Sequence, residues 1–204
     1  MKFIATLLLT ILICWSCNEK KDASEQSQSK TGTTAVSENK EKKTETEKIS
    51  IANQLKSLEP ITEAEMDAWM PEKIGTMNRT YYQANITPQM EIFMTKATFK
   101  DPTSQKSLDI SIMDGAGERG SRAMSTFLNL KNLYQDKSDE LGYQKVITKN
   151  DMTIVQKYQN TGDKFNLEFA PKQRYAIKIE TRAVSETELW EAINQFKFDN
   201  FKGI

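Results

Sequence analysis

The chain has 204 residues, with 28 Lys and Arg against 28 Asp and Glu, two cysteines and no histidine. A charge near zero leaves no field to gather nucleic acid or acidic substrates. Without histidine there is no serine–histidine or cysteine–histidine catalysis, and no zinc site built on imidazole.

The N-terminal stretch reads MKFIATLLLTILICWSC. Lys2 supplies a short positive region, Phe3 to Ile13 form an apolar run broken only by Thr6 and Thr10, and Ser16 places a small residue before Cys17. This is the layout of a secretory signal. As a helix, Phe3 to Cys17 would reach roughly 22 Å, short of a hydrocarbon core of about 30 Å. Both cysteines, Cys14 and Cys17, lie here, so the remaining chain carries no disulfide framework and no thiolate metal site.

The CWSC segment resembles a bacterial lipoprotein cleavage box, with Cys17 as the residue that is acylated and becomes the new N-terminus. It departs from that pattern at Cys14, where Leu is usual, and at Trp15, which is bulky for its position. The resemblance implies a membrane partner reached through lipid, palmitate included. Each buried CH₂ contributes about 0.8 kcal/mol, and two or more acyl chains hold a protein stably at a bilayer. Asn18, in place of the Asp that resembles an inner-membrane retention signal, favours the outer membrane. The nearby KKD also reads as a surface-export cue, so the expected location is the cell envelope, on its periplasmic or surface face.

Residues 18–48 contain Ala23, Ala35 and Val36 as their only aliphatic residues, among mixed charges, Ser, Thr, Gln and Asn. Such a stretch cannot bury enough apolar surface to offset chain entropy and is expected to be a disordered tether. Its average reach is roughly 30 Å, and about 105 Å when pulled straight. Removing Lys2 with the signal leaves 27 basic against 28 acidic residues, so the mature chain stays close to neutral. Residues 49–204 have the size of one ordinary domain.

A short helix is predicted around Glu63 to Met70. Thr62 and Glu65 have capping-box spacing, Pro71 closes it, and Met66, Trp69 and Met70 share one face. Three strands follow in MNRTYYQA, QMEIFMTKATF and SLDISIMD, the last two joined by the turn-rich KDPTSQK. A long helix is expected next, with Ser121 as N-cap, a stripe of Ala123, Phe127, Leu130 and Tyr134, and Gly142 as a left-handed cap. Four more strands, YQKVITK, MTIVQKYQ, KFNLEFA and RYAIKIETRA, are separated by links short enough only for hairpins. A last helix is capped by Ser185 with Glu188 and turns Leu189, Trp190, Ile193 and Phe196 inward. Phe165, Leu167 and Phe169 share a face with Tyr175, Ile177 and Ile179 in spirit of the same alternation, opposite Glu168, Lys178, Glu180 and Arg182. The expected fold class is α+β: a mainly antiparallel sheet of about seven strands with helices packed on one face.

Gly115, Gly117 and Gly120 reproduce the G-x-G-x-x-G spacing of a dinucleotide fingerprint. The surroundings argue against that use. Leu108, Ile110 and Ile112 alternate with Asp109, Ser111 and Met113, the pattern of a half-exposed strand, and the strands around them are hairpin-linked. No cofactor, no metal, no dinucleotide and no nucleic acid is therefore expected. The glycines read first as a turn from strand to helix. One binding option remains, an anion held by loop N–H groups at Gly115, Gly117 and Gly120 with Ser121, Arg119 and Arg122.

The order of strands and helices is similar to that of PsbP/Mog1-like modules, which are largely binding and assembly domains. MDAWMPEKIG, IMDGAGERGS and RYAIKIETRAVSETELW resemble segments of uncharacterised bacterial lipoproteins. These similarities imply a tethered binding or scaffolding module for an envelope protein or small ligand, with no catalytic residue assigned. The alternative is a hydrolase or transferase using Asp114, Glu118 or Arg119, with the two carboxylates as an acid–base pair or as ligands to a hard cation.

Overall fold

A computed structural model describes residues 46–204. The expected signal, Cys17 and tether residues 18–45 lie outside the described residues. Helix α1 runs through residues 46–56, so positions 46–48, read as the end of the tether, are helical. Helix α2 (Glu63–Trp69) carries the expected capping box: Thr62 accepts from the Glu65 N–H, and the Glu65 carboxylate accepts from the Thr62 N–H. Met66 on its inner face is fully buried. Among the described residues no helix is long and apolar enough to cross a membrane.

Nine strands form one sheet. Lys73–Ile74 (β1), Met77–Gln83 (β2), Met94–Lys100 (β3) and Ser107–Asp114 (β4) make the first meander. Helices α3 (Gly117–Ala123) and α4 (Leu130–Leu133) lead to the second, Lys137–Asp139 (β5), Gly142–Lys149 (β6), Met152–Gln159 (β7), Lys164–Phe169 (β8) and Tyr175–Arg182 (β9), before helix α5 (Glu186–Gln195). The spatial order is β1-β2-β3-β4-β9-β8-β7-β6-β5, and every neighbouring pair is antiparallel. The last strand of the second meander thus docks on the last strand of the first. The class is α+β, as the alternation of the strands predicts; β1 and β5, two and three residues long, are the strands too short to be read from sequence.

Period-2 patterning sets the main core. Leu108, Ile110 and Ile112 of β4 meet Ile177 and Ile179 of β9 and Leu167 and Phe169 of β8 on one buried face. Burying each such side chain stabilises the fold by about 1.5–3 kcal/mol. Helices α2 and α5 cover this face, and α5 supplies Leu189, Ala192 and Ile193. The chain after α5 contributes more than its sequence suggests. Phe196, Phe198 and Phe201 surround Trp69, with ring centroids 5.9, 5.6 and 4.3 Å away. Aromatic contacts of this kind bind the C-terminal segment to α2.

A smaller cluster sits on the opposite face. Met113 and Ala176 are cross-strand partners, one residue out of phase with the Ile112–Ile177 pair of the main core. Ile51 and Leu55 of α1, with Met124, Phe127 and Leu128, pack over them. Helices therefore reach both faces at this end, α2 and α5 on the one and α1 with residues 124–130 on the other. Farther along that face Val146 and Val155 pair across β6 and β7, and Glu168 and Lys178 are in register as a cross-strand ion pair 3.6 Å apart.

The long helix from Ser121 does not form. Helix α3 starts earlier, with Ala116 at its N-cap, and ends at Ala123; a 3-10 turn (Phe127–Asn129) and the single turn of α4 follow. Polar side chains in this stretch bond to backbone elsewhere instead of leaving it helical. Asp136 accepts from the Val146 N–H at 2.7 Å, and Asp139 accepts from the N–H groups of Leu141 and Gly142 at 2.8 and 3.1 Å. Gly142 is consequently no helix cap. It opens β6 at φ +153°, where a Cβ would lie 2.0 Å from the Tyr158 carbonyl oxygen.

Candidate functional site

Strand β4 ends at Asp114, whose side chain points to the core face and is fully buried. Its Oδ1 accepts from Arg174 Nε at 2.8 Å and from the Ala116 N–H at 3.0 Å. Its Oδ2 accepts from Arg174 Nη2 at 2.8 Å and from the Ile61 N–H at 2.7 Å. Arg174 Nη2 also donates to the Glu59 carbonyl at 2.9 Å. Four bonds on one carboxylate tie together the approach to α2, the end of β4 and the start of β9. All four of these donors are internal, so Asp114 serves as a structural anchor. Sequence reading missed Arg174, sixty positions away, because nothing local marks it as the partner.

The glycines serve the same junction. Gly115 gives its N–H to the Arg174 carbonyl at 2.8 Å, and a Cβ there would fall 2.2 Å from Met124 Cγ and 2.7 Å from that carbonyl oxygen. At Gly120 a Cβ would fall 2.8 Å from the Asp114 carbonyl oxygen. Gly117 turns the chain at φ +81°. Close approach and a left-handed turn account for all three. Strand β4 is antiparallel to both neighbours, so the motif leaves a sheet unlike the parallel one a dinucleotide fingerprint uses.

The remaining loop residues are spread over the surface or enclosed. Arg119 donates to Glu91 at 2.7 Å, with both side chains exposed. Glu118 lies between Lys56, at 2.6 Å, and Arg122. The hydrogen bond from Lys56, joined by that from Arg122, holds the Glu118 carboxyl below its ordinary range. Ser121 is buried within α3 and donates to the Glu118 carbonyl at 3.0 Å. Both arginines of the expected anion loop thus face the chain's own carboxylates, and Asp114 and Glu118 are not a facing pair.

A second location is more promising. Tyr143, Tyr158 and Phe165 are in register across β6, β7 and β8 on the core face. Their ring centroids are 5.4 and 4.8 Å apart, a row of three rings at the sheet's end. With residues 183–186 and Asp163 they line a cleft of about 510 Å³ between the sheet and the start of α5, within the size range of small-molecule sites. A second hollow of about 350 Å³ shares Tyr143 and Tyr158 on the β5 side.

Polar groups converge on the rings. Asp163, in the β7–β8 turn, accepts from the Tyr158 hydroxyl at 2.8 Å. Glu186, in the first turn of α5, accepts from Gln156 Nε2 at 2.8 Å and from the Tyr143 hydroxyl at 3.4 Å. Gln156 Nε2 also donates to the Tyr143 hydroxyl at 2.7 Å. Burial pushes the Tyr143 phenol up, and the hydrogen bond to Asp163 does the same for Tyr158. Both hydroxyls therefore remain protonated donors at neutral pH. Glu188 is engaged differently: the hydrogen bond from Lys106, followed by those of its own capping box, lowers its carboxyl to about 2.

This arrangement can bind and orient a ligand. Among the described residues no group of three or more Cys, Asp or Glu side chains is placed to hold a metal ion. Sequence reading sorted the faces but not this cleft, although the hairpin links fix the pairing that builds it. Comparison of the chain with protein-family models, with curated proteins and with solved structures finds no match in any of the three.

Proposed function

We propose that this chain is a binding or scaffolding module of the bacterial cell envelope, held at the outer membrane by acyl chains on Cys17 and engaging its ligand through the cleft of Tyr143, Tyr158 and Phe165. The observation that carries the binding part is the convergence of three aligned rings with Asp163 and Glu186 in one concave site. Apolar walls with a few placed polar groups are the usual make-up of a ligand seat. The glycine loop offers no comparable site, since its carboxylates and arginines pair with the chain itself.

The anchor rests on the signal layout and the CWSC box. Mass analysis of the mature N-terminus tests it: Cys17→Ala should abolish both processing at that site and membrane retention. Unchanged processing and retention would remove the anchor from this reading. For the cleft, a photo-crosslinking amino acid is placed at Tyr143 or, separately, at Arg119 in intact cells. Adducts should form from position 143, and adducts formed only from position 119 would move the ligand seat to the glycine loop.

A further inference from the structure

We infer that the cleft receives an alkylammonium group, such as the end of a polyamine or of a lysine-like side chain; this rests on the cleft being the ligand seat. The balance of donors and acceptors points there. The Tyr143 and Tyr158 hydroxyls already give their hydrogens to Glu186 and Asp163. The Ser185 hydroxyl gives its hydrogen to Glu188. These three side-chain hydroxyls are thus engaged as donors, whereas each carboxylate retains lone pairs beyond the bonds it accepts.

A further acceptor lies buried behind the cleft wall without lining the cleft itself. Gln156 is 2% exposed and stands behind the wall formed by Tyr143 and Glu186, giving Nε2 hydrogens to both. Its Oε1 has no donor among the described residues. Unmet buried acceptors are uncommon and costly.

Charge selects among donor-rich ligands. Glu188 is neutralised by Lys106, which leaves Asp163 and Glu186 as the carboxylates at the rings. Aromatic faces attract cations through their quadrupoles. The chain makes such a contact here itself: the Lys145 ammonium sits 4.4 Å from the Tyr143 ring centroid. A neutral polyol could use the acceptors but would gain little from the charge, and a carboxylate ligand would be repelled.

The test is a titration of the purified domain with 1,5-diaminopentane, 1,5-pentanediol and glutarate, followed by NMR shifts of the Tyr143, Tyr158 and Glu186 amides. The diamine should saturate these shifts, with at least tenfold weaker binding by the diol and none by glutarate. Glu186→Gln and Asp163→Asn should each weaken the diamine about tenfold, whereas Lys145→Met should tighten it. Glu118→Gln should change nothing. Melting temperatures of the variants separate lost binding from lost folding. Equal binding of diol and diamine, or diamine binding indifferent to Glu186→Gln and Asp163→Asn, overturns the inference while leaving the cleft as a seat for another class. Failure of all three probes, with no adduct from position 143 in cells, overturns the cleft reading as well.

Discussion

Asp114 and Arg174 meet side by side, with Nε and Nη2 each 2.8 Å from a carboxylate oxygen and side-chain exposures of 0% and 4%. Bidentate pairs of this kind are strong and directional, and their net value depends on both partners staying present. Asp114→Asn should therefore destabilise the domain by about 3–5 kcal/mol. Replacing both residues, with Asp114→Asn and Arg174→Met, should cost less than the sum of the single changes. Urea unfolding of the four proteins measures the coupling; strictly additive losses would remove the pair from its anchoring role.

Gly115 and Gly120 predict a different kind of loss. An added methyl group meets the Arg174 carbonyl oxygen at one position and the Asp114 carbonyl oxygen at the other, and backbone cannot swing aside as a side chain can. Gly120→Ala should lower stability by about 1–3 kcal/mol, in the range of overpacking. Thermal unfolding checks it. A neutral Gly120→Ala would mean that α3 does not sit this close to the end of β4.

Tyr175 and Thr95 are fully buried with hydroxyls that have no partner among the described residues. Burial pushes the Tyr175 phenol far up, so it stays neutral. An unmet buried hydroxyl costs about 1–3 kcal/mol. Tyr175→Phe and Thr95→Val should raise the melting temperature or leave it unchanged. A fall for Tyr175→Phe would show that the hydroxyl has a polar partner in solution.

Glu188 makes acid stability testable. Its carboxyl lies at about 2 in the folded protein against an ordinary 4.5, chiefly through the hydrogen bond from Lys106. A lowered folded value favours folding above pH 4.5, and the contribution is lost as pH falls from there through about 2. Partial exposure of the pair limits its size. Glu188→Gln keeps the capping box, because glutamine serves that position too, but removes the charge. Its stability should depend less on pH between 4.5 and 2 than that of the parent chain. Parallel acid limbs for the two proteins in urea unfolding would contradict this.

Much of the scaffold is legible residue by residue. Thr62 with Glu65 and Ser185 with Glu188 mark both capped helices, because a capping box is local chemistry. The strands from Ser107 and from Met152 onward are marked by alternation and short links. The stretch after Ser121 misleads, since its apolar stripe has helical spacing while Asp136 and Asp139 accept from the Val146 and Gly142 N–H groups of β6. The polar anchor is hidden for another reason: Arg174 finds Asp114 only after β9 docks on β4, a pairing between separate meanders. The cleft lies between these extremes. The ND and NTGD links imply the pairing of Tyr143 with Tyr158 and of Tyr158 with Phe165, but the approach of Glu186 depends on where α5 packs.

Hydrogen exchange on the protein in isolated membranes, compared with the purified domain, tests the central claim most directly. Bound ligand at the cleft should slow exchange in peptides covering residues 142–144, 156–158 and 183–187 and leave residues 114–122 unchanged. Slowing confined to residues 114–122 would contradict the account and place the ligand at the glycine loop.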